Sequence, residues 1–312
     1  MEMAKETVAK DVVIIGAGMA GLTAALYAGR SNLSTLVLEN ELVGGQIANA
    51  TGIENYPGFM SVKGGDLMAT VQAQAEAVGA VVDEFDLVKR VDLAAVPKIV
   101  ETEEHIYEAK AVILATGMKR RKMPLPEAAR YEDRGIHYCE LCDGHMYQDK
   151  VIVVMGGGNA AVDAANYLTR YAKKLYLIHR SELRADEVSQ KRLYANPAVT
   201  VMLQTEITAL SGENRLEAIQ VLHKDTGKSE ELPVDAIFVN IGVVPNTEFV
   251  RGQIRLTESG RIPAGEDCRT EIPGVFAAGD VREKEIRQLT TAAADGTTAA
   301  LLAERYIRQL ED

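Results

Sequence analysis

Residues 137–147 read HYCELCDGHMY and hold two of the chain's three cysteines. Cys139 and Cys142 form a C-x-x-C pair, with His137 and His145 on either side. Three chemistries fit these residue types at this spacing. A pair that starts a helix can close a short disulfide; once reduced, the helix N-terminus and nearby cations lower one thiol's pKa and give a nucleophilic thiolate. Asp143 directly follows Cys142, a position from which a carboxylic acid can pass protons. Zinc is the rival, with His137, Cys139, Cys142 and His145 as four ligands within nine residues. Ligands so crowded must wrap the ion tightly. Two buried free thiols are the third reading. Three cysteines in 312 residues are too few for a secreted disulfide framework, which points to redox work or a metal in a reducing compartment.

A disulfide that trades electrons needs a redox partner, and the chain carries two cradles for one. DVVIIGAGMAG (11–21) and KVIVVMGGGNAA (150–161) each run from a charged residue through a β-branched stretch into a glycine cluster that opens a helix. A second short strand follows each, STLVLE (34–39) and KLYLIH (174–179), so a βαβ unit is expected twice. In Gly16-x-Gly18-x-x-Gly21, Gly16 permits the tight turn, Gly18 lets backbone amides approach a pyrophosphate, and Gly21 lets helix and strand close up. Glu39, 18 residues past Gly21, stands where a carboxylate hydrogen-bonds a ribose hydroxyl. In the second copy, Gly156-x-Gly158-x-x-Ala161 with Asn159 and Ala160 in its turn, the position matching Glu39 is His179, followed by Arg180 and Arg184. Arginines pair with a 2′-phosphate that a carboxylate repels. The first cradle therefore suits FAD and the second NADPH, and both favour the redox reading of the cysteines.

The elements that must position these residues define the architecture. Ala111–Leu114 reads as a strand closed by Ala115-Thr116-Gly117, and Lys122–Pro126 as an irregular connection because of its two prolines. Ala236–Gly242 reads as a strand and Val243–Thr247 as a turn; Gly274–Asp280 is a strand ending at an acid, with a helix from about Thr290. The expected fold is α/β, two Rossmann-like dinucleotide-binding domains with the second inserted into the first. The outer domain takes residues 1–117 and 245–312, the inner one 118–244. A chain of this length is long for one core.

With 34 basic and 45 acidic residues the net charge is −11, which repels nucleic acid and anionic membranes and suits a cytoplasmic protein. The uncharged run Val12–Gly29 has the length of a signal peptide or a membrane span, but its β-branched start and glycine spacing favour strand–turn–helix. Cys268 reads as structural, His105 and His223 as surface residues, the ten methionines as core filling, and residues 281–287 (VREKEIR) as a solvated face with Arg287 the exception.

Four blocks, in order and spread over essentially the whole chain, resemble the low-molecular-weight thioredoxin reductases of bacteria and archaea, class II pyridine nucleotide-disulfide oxidoreductases. They are the N-terminal GAGMAG, GGQIANATGIENYPGF (44–59), HYCELCDG (137–144) and GVFAAGDVREKEIRQLTTAAADG (274–296). The resemblance implies FAD, a redox-active Cys139–Cys142 disulfide in the inserted domain, a thioredoxin-like partner and a homodimer. It implies that Cys142 faces the flavin, that Cys139 attacks the substrate disulfide and that Asp143 serves proton transfer. It places Gly279 and Asp280 at the ribityl or phosphate region, Arg287 and Gln288 near the isoalloxazine, and Gly44, Gly45, Gln46, Asn55, Thr116 and Gly117 on the flavin side.

Two departures matter. The family's nicotinamide motif resembles His-Arg-Arg-x-x-x-Arg, whereas residues 179–184 read HRSELR, with Ser181 for the second arginine and one residue fewer before Arg184. NADPH preference is then weakened, shared with NADH or replaced by another donor, while the intact second fingerprint argues against losing nicotinamide altogether. Glu140-Leu141 stands between the cysteines where small uncharged residues are common, and a carboxylate there disfavours the adjacent thiolate. The function expected is an FAD-dependent thioredoxin-disulfide reductase fed by NADPH. The alternatives are a related reductase using NADH, ferredoxin or another donor, and a flavin-binding zinc or sensor protein without turnover. Nicotinamide site and disulfide share the inner domain and both need the flavin, so rotation about hinges at Met118–Pro126 and Val243–Thr247 is expected.

Overall fold

The computed structural model describes residues 5–40, 42–50 and 52–311; Thr51 of the 44–59 block lies outside them, as do residues 1–4, 41 and 312 of the outer domain. The chain divides into two compact units, one of Met1–Lys119 with Val244–Asp312 and one of Arg120–Val243.

In the first unit, β1 (Glu6–Ile15), α1 (Met19–Arg30) and β2 (Thr35–Leu38) form the first βαβ repeat, with β1 parallel to β2. The last four residues of β1 are all buried because both faces of the sheet are covered: Val12 and Ile14 face one core with α1, Val13 and Ile15 the other. That two-sided burial is why the run is continuously apolar instead of alternating. A glycine turn ends it, and among the described residues no helix is long and apolar enough to cross a membrane. Next come α2 (Gly64–Glu76), β3 (Val81–Asp83), and an antiparallel extension of β4 (Val88–Asp92) and β5 (Lys98–Thr102) leading into β6 (His105–Leu114). The sheet order is β3-β2-β1-β6-β5-β4.

The chain leaves this unit through β7 (Met118–Arg120). The second unit contains α3 (Ala128–Tyr131), β8 (Ile136–His137), α4 (Glu140–Asp143), β9 (Val151–Met155), α5 (Asn159–Leu168), β10 (Lys174–Ile178), α6 (Glu187–Tyr194) and β11 (Val199–Met202). A meander follows, β12 (Thr205–Ser211), β13 (Ala218–His223) and β14 (Ser229–Pro233), then β15 (Ala236–Val239). Its parallel sheet runs β11-β10-β9-β15-β8. Ile152, Val154, Leu175 and Leu177 pack on α5, while Val153, Ile178 and Ile237 pack on the meander.

The chain returns through β16 (Val243–Pro245), which pairs with β7 in a two-stranded ribbon. The turn expected over Val243–Thr247 is therefore half strand; Pro245 is tolerated because a ribbon of two strands has open edges. In the first unit β17 (Val275–Ala277) then pairs with the C-terminal part of β6, and a 3-10 turn at Gly279–Val281 cuts the expected strand short. The final helix α7 (Leu289–Glu311) packs on α1, where a methyl on Gly296 would lie 2.2 Å from the Ala20 carbonyl oxygen.

Candidate functional site

The two glycine fingerprints separate into positions the protein itself demands and positions only a visitor demands. Gly16 has φ +108°, and a methyl there would sit 2.5 Å from the Ala115 carbonyl oxygen; one on Gly21 would sit 1.8 Å from the Gly16 carbonyl oxygen. Gly18, at the α1 N-cap with φ −78°, has no protein atom within 4 Å of where a side chain would begin. The second copy repeats the pattern. Gly156 has φ +147° with the Asn240 carbonyl oxygen 2.2 Å from a methyl, and Gly158, with φ −93°, faces open space. Open space at the middle glycine beside a helix N-terminus is what a pyrophosphate requires.

Around the first cradle, the Ala17 N–H donates to Glu39 Oε2 at 2.8 Å and the Gly44 N–H to the Ala17 carbonyl at 2.9 Å. Gly45, with φ +58°, lies against the Gly18 Cα. Asn55 Nδ2 donates to Gln288 Oε1 at 3.3 Å, joining two blocks far apart in sequence. Gln46 and Thr116 bond the backbone carbonyls of Met118 and Asn246, next to Gly117 in its left-handed turn. Among the described residues, Asp280 Oδ1 is buried without a protein donor, and the Arg287 and Arg261 Nε atoms are buried without an acceptor. Burial pushes the Asp280 carboxyl up, while Lys284, Arg287 and Arg261 favour its charged form and Asp295 opposes it. A buried acceptor without a donor costs about 1–3 kcal/mol. One unpartnered acceptor among unpartnered cationic donors fits a ligand carrying both hydroxyls and anionic groups.

Sequence reasoning missed the support beneath Asp280. Residues 281–287 read from the sequence as mostly a solvated face with Arg287 the exception, but Arg282 and Lys284 also point inward. Asp295 accepts from Arg282 Nε at 2.8 Å and Nη2 at 2.9 Å, from Lys284 Nζ at 2.8 Å, and from the Gly279 N–H at 2.9 Å. The signal was present: Ala292, Asp295, Gly296 and Ala299 share one face of α7, so an acid sits in a buried stripe. Cys268 is fully buried beneath it, its thiol pushed up to about 12 by burial, and is a structural thiol. His105 and His223, expected at the surface, are half-buried and paired with Asp86 at 2.7 Å and Glu230 at 2.8 Å.

In the second unit the His179 ring lies over Gly157, where a methyl would come within 2.2 Å of it, and Ser181 Oγ meets His179 Nε2 at 3.1 Å. Burial, then the Arg184 and Arg180 charges, push the imidazole below its usual range. The Arg184 N–H donates to the Gly157 carbonyl at 2.7 Å, which draws this arm onto the fingerprint loop. The Arg180, Arg184, Asn159 and Ala160 side chains are exposed there, and Asn159 Oδ1 accepts from the Asp186 N–H.

Cys139 and Cys142 are bonded to each other, S–S 2.14 Å, the arrangement that the redox reading requires. Among the described residues no cluster of three or more His, Cys, Asp or Glu could hold a metal ion. Cys139 caps α4, and the Cys142 N–H donates to Cys139 Sγ at 3.2 Å, a contact that would favour the thiolate after reduction. Cys139 is half-buried and Cys142 exposed. Gly144 lets the turn sit on α5, since a methyl there would lie 2.7 Å from Leu168 Cδ2. Glu140 does not stand alone between the sulfurs: Arg120 Nη1 is 3.5 Å from its Oε2, an ion pair without an aligned hydrogen bond, and 3.3 Å from Asn240 Oδ1. His137, offered as a metal ligand by the sequence, is buried, stacked on Phe238, and bonded through Nε2 to the Tyr147 hydroxyl.

Comparison with known proteins bears on this arrangement. The profile of the family described as pyridine nucleotide-disulphide oxidoreductase matches residues 10–296. A 34.2 kDa protein in the rubredoxin operon of Clostridium pasteurianum is 49% identical over 304 residues, 97% of this chain and 99% of that protein. A thioredoxin reductase of Streptomyces clavuligerus is 40% identical over 308 residues, 97% of this chain and 95% of its own. The crystal structure of Lactococcus lactis thioredoxin reductase in the FR conformation matches with a TM-score of 0.87 at 36% identity, covering 96% of this chain and 99% of that one.

Proposed function

Because the chain belongs to the pyridine nucleotide-disulphide oxidoreductase family, we propose that it is an FAD-dependent thioredoxin-disulfide reductase that draws electrons from NADPH and delivers them through Cys139–Cys142 to a thioredoxin-like protein. The observation that carries the reading is the disulfide itself, seated on α5, the helix that the second glycine fingerprint opens. Relatives named thioredoxin reductase that align over nearly the whole chain support it.

Bound flavin supplies the two-electron exchange between a hydride donor and a disulfide. The chain's own residues do the rest. Residues 1–117 and 245–312 would hold FAD: the amides around Gly18 would take the pyrophosphate, Glu39 the ribose and Asp280 a ribityl hydroxyl, with Arg287 and Gln288 on the ring side. Residues 118–244 hold the nicotinamide donor, with Gly158 at its pyrophosphate and Arg180 and Arg184 at its ribose end. In the dithiol, Cys139 attacks the partner's disulfide, Cys142 resolves the mixed disulfide, and Asp143 carries the proton. The unit moves about the β7–β16 connection between turnover steps. The protein works as a cytoplasmic homodimer, away from nucleic acid and membranes.

A second donor class is favoured by one observation. Where the family motif has its second arginine, Ser181 is engaged with an imidazole held neutral, so the ribose end carries one cation fewer. NADH, or a donor without nicotinamide, fits that end as well. Anaerobic mixing with NADPH and then NADH, followed by flavin absorbance, tests both. Bleaching by NADPH alone supports the first reading, bleaching by both the shared one, and bleaching by neither removes nicotinamide from the scheme.

A further inference from the structure

Asp143 is backed by a buried histidine that the reaction as described does not use. His137 is 2% exposed, sits at the end of β8, and is stacked on Phe238 of β15 with ring centroids 5.5 Å apart. Its Nε2 lies 2.7 Å from the Tyr147 hydroxyl. Its Nδ1 lies 3.2 Å from Asp143 Oδ2 but is not aligned for a hydrogen bond, and it has no other partner among the described residues. A buried ring nitrogen left unsatisfied 3.2 Å from a carboxylate is costly, and native structures keep few of them.

We propose that His137 is a positioning residue for proton transfer at the dithiol, holding the Asp143 carboxylate through Nδ1–H while Tyr147 fixes the ring through Nε2. The proposal rests on the reading of Cys139–Cys142 as the redox centre. In the tautomer proposed, the Tyr147 hydroxyl donates to Nε2, and Nδ1 carries the ring proton 3.2 Å from Asp143 Oδ2. During exchange with a disulfide R–S–S–R, the Cys139 thiolate forms a new S–S bond to one sulfur and breaks the old one, releasing a thiolate. Cys142 gives up its thiol proton to Asp143, attacks Cys139 Sγ and releases the second thiolate. The proton taken by Asp143 passes to a departing thiolate, so two electrons leave the cysteine pair and reduce R–S–S–R to two thiols, solvent supplying the second proton. A carboxylate that must accept and release a proton within one turnover works best when its orientation is fixed in both states.

The test uses the flavin-loaded protein, prereduced with dithiothreitol, freed of reductant and mixed with 5,5′-dithiobis(2-nitrobenzoate) from pH 5 to 10. His137→Phe keeps the ring stack and removes both nitrogens. It should slow exchange about 10–100-fold near pH 7 and move the pH profile toward the alkaline limb of an unassisted thiol. His137→Asn, whose amide nitrogen can stand near Nδ1, should restore part of the rate. Tyr147→Phe should slow exchange less and move the profile the same way. Parent-like rate and profile in a folded His137→Phe protein would overturn the proposal. If that variant does not fold, parent-like profiles in both His137→Asn and Tyr147→Phe would do so. Asp143→Asn separates the two levels: if it too leaves the profile unchanged, or if the parent's cysteine pair does not exchange at all, the reading of the redox centre fails with the proposal. A slowed Asp143→Asn beside an unchanged His137→Phe defeats the proposal alone.

Discussion

Alanine at the two middle glycines should separate the cofactor sites without disturbing the fold. Gly18 and Gly158 have φ of −78° and −93°, which any L-residue adopts, and neither would bring a methyl within 4 Å of protein. Replacing a glycine N-cap by alanine costs about 0.5–1 kcal/mol, and the smaller entropy of the unfolded chain returns about 0.4–1 kcal/mol. Stability should therefore stay within about 1 kcal/mol. A pyrophosphate approaching the same backbone meets the new methyl directly, and an overlap of one methyl with a close-fitting group costs about 1–3 kcal/mol. That is roughly a 5- to 150-fold loss of affinity. Gly18→Ala should lower flavin content after purification and raise the FAD dissociation constant. Gly158→Ala should keep its flavin and its dithiol titre but need roughly 5- to 150-fold more nicotinamide donor to bleach the flavin anaerobically. Gly21→Ala is the contrast, since its methyl meets the Gly16 carbonyl oxygen at 1.8 Å and should destabilise the unit itself. A Gly158→Ala protein that binds the donor within twofold of the parent would refute the assignment of the second fingerprint.

Three further outcomes follow from the same contacts. Asp295→Asn should cost about 3–5 kcal/mol in urea unfolding, because Arg282 and Lys284 stay buried against a neutral amide; a loss under about 1 kcal/mol would mean the cluster is solvated. The His105 imidazole is held above its usual range by the Asp86 hydrogen bond, and Asp86, despite burial, is held below its own by Thr102, the Glu104 N–H and His105. The histidine's stabilisation is thus complete below about pH 6.5 and lost as pH rises through its raised value, whereas that of Asp86 is present above about pH 4 and lost in acid. His105→Gln should flatten the fall of the unfolding free energy above pH 6.5 by an amount on the order of 1 kcal/mol, and an unchanged slope would place that fall elsewhere. Glu140→Gln leaves Arg120 uncompensated beside the redox turn, so the more acidic thiol of the reduced pair should titrate lower; an unmoved thiol titration rejects that coupling.

What the sequence disclosed and what it hid divide along physical lines. Gly16, Gly21 and Gly156 were legible because a turn and a close helix–strand contact leave room for no side chain, and that requirement is local. The cysteine pair was legible because three residues suffice to close the disulfide. His137 was misread as a possible metal ligand because its real neighbour, Phe238, lies on a strand a hundred residues on. Arg282 and Lys284 were misread as solvated because a charge run says nothing of a carboxylate on a later helix; only the helical spacing of the alanines around Asp295 could have shown it. The meander of β12–β14 went unnoticed because its apolar positions are set by the sheet it covers, not by any turn signature strong enough to stand alone.

The central claim is that electrons reach a protein disulfide only through the sulfurs of Cys139 and Cys142. The most direct measurement compares two readouts in the Cys139→Ser, Cys142→Ser double variant: anaerobic bleaching of its flavin by the donor, and donor-driven reduction of a thioredoxin-like protein. Bleaching at the parent's rate with disulfide reduction at background is the predicted result. A variant that still reduces the protein disulfide at the parent's rate contradicts the account.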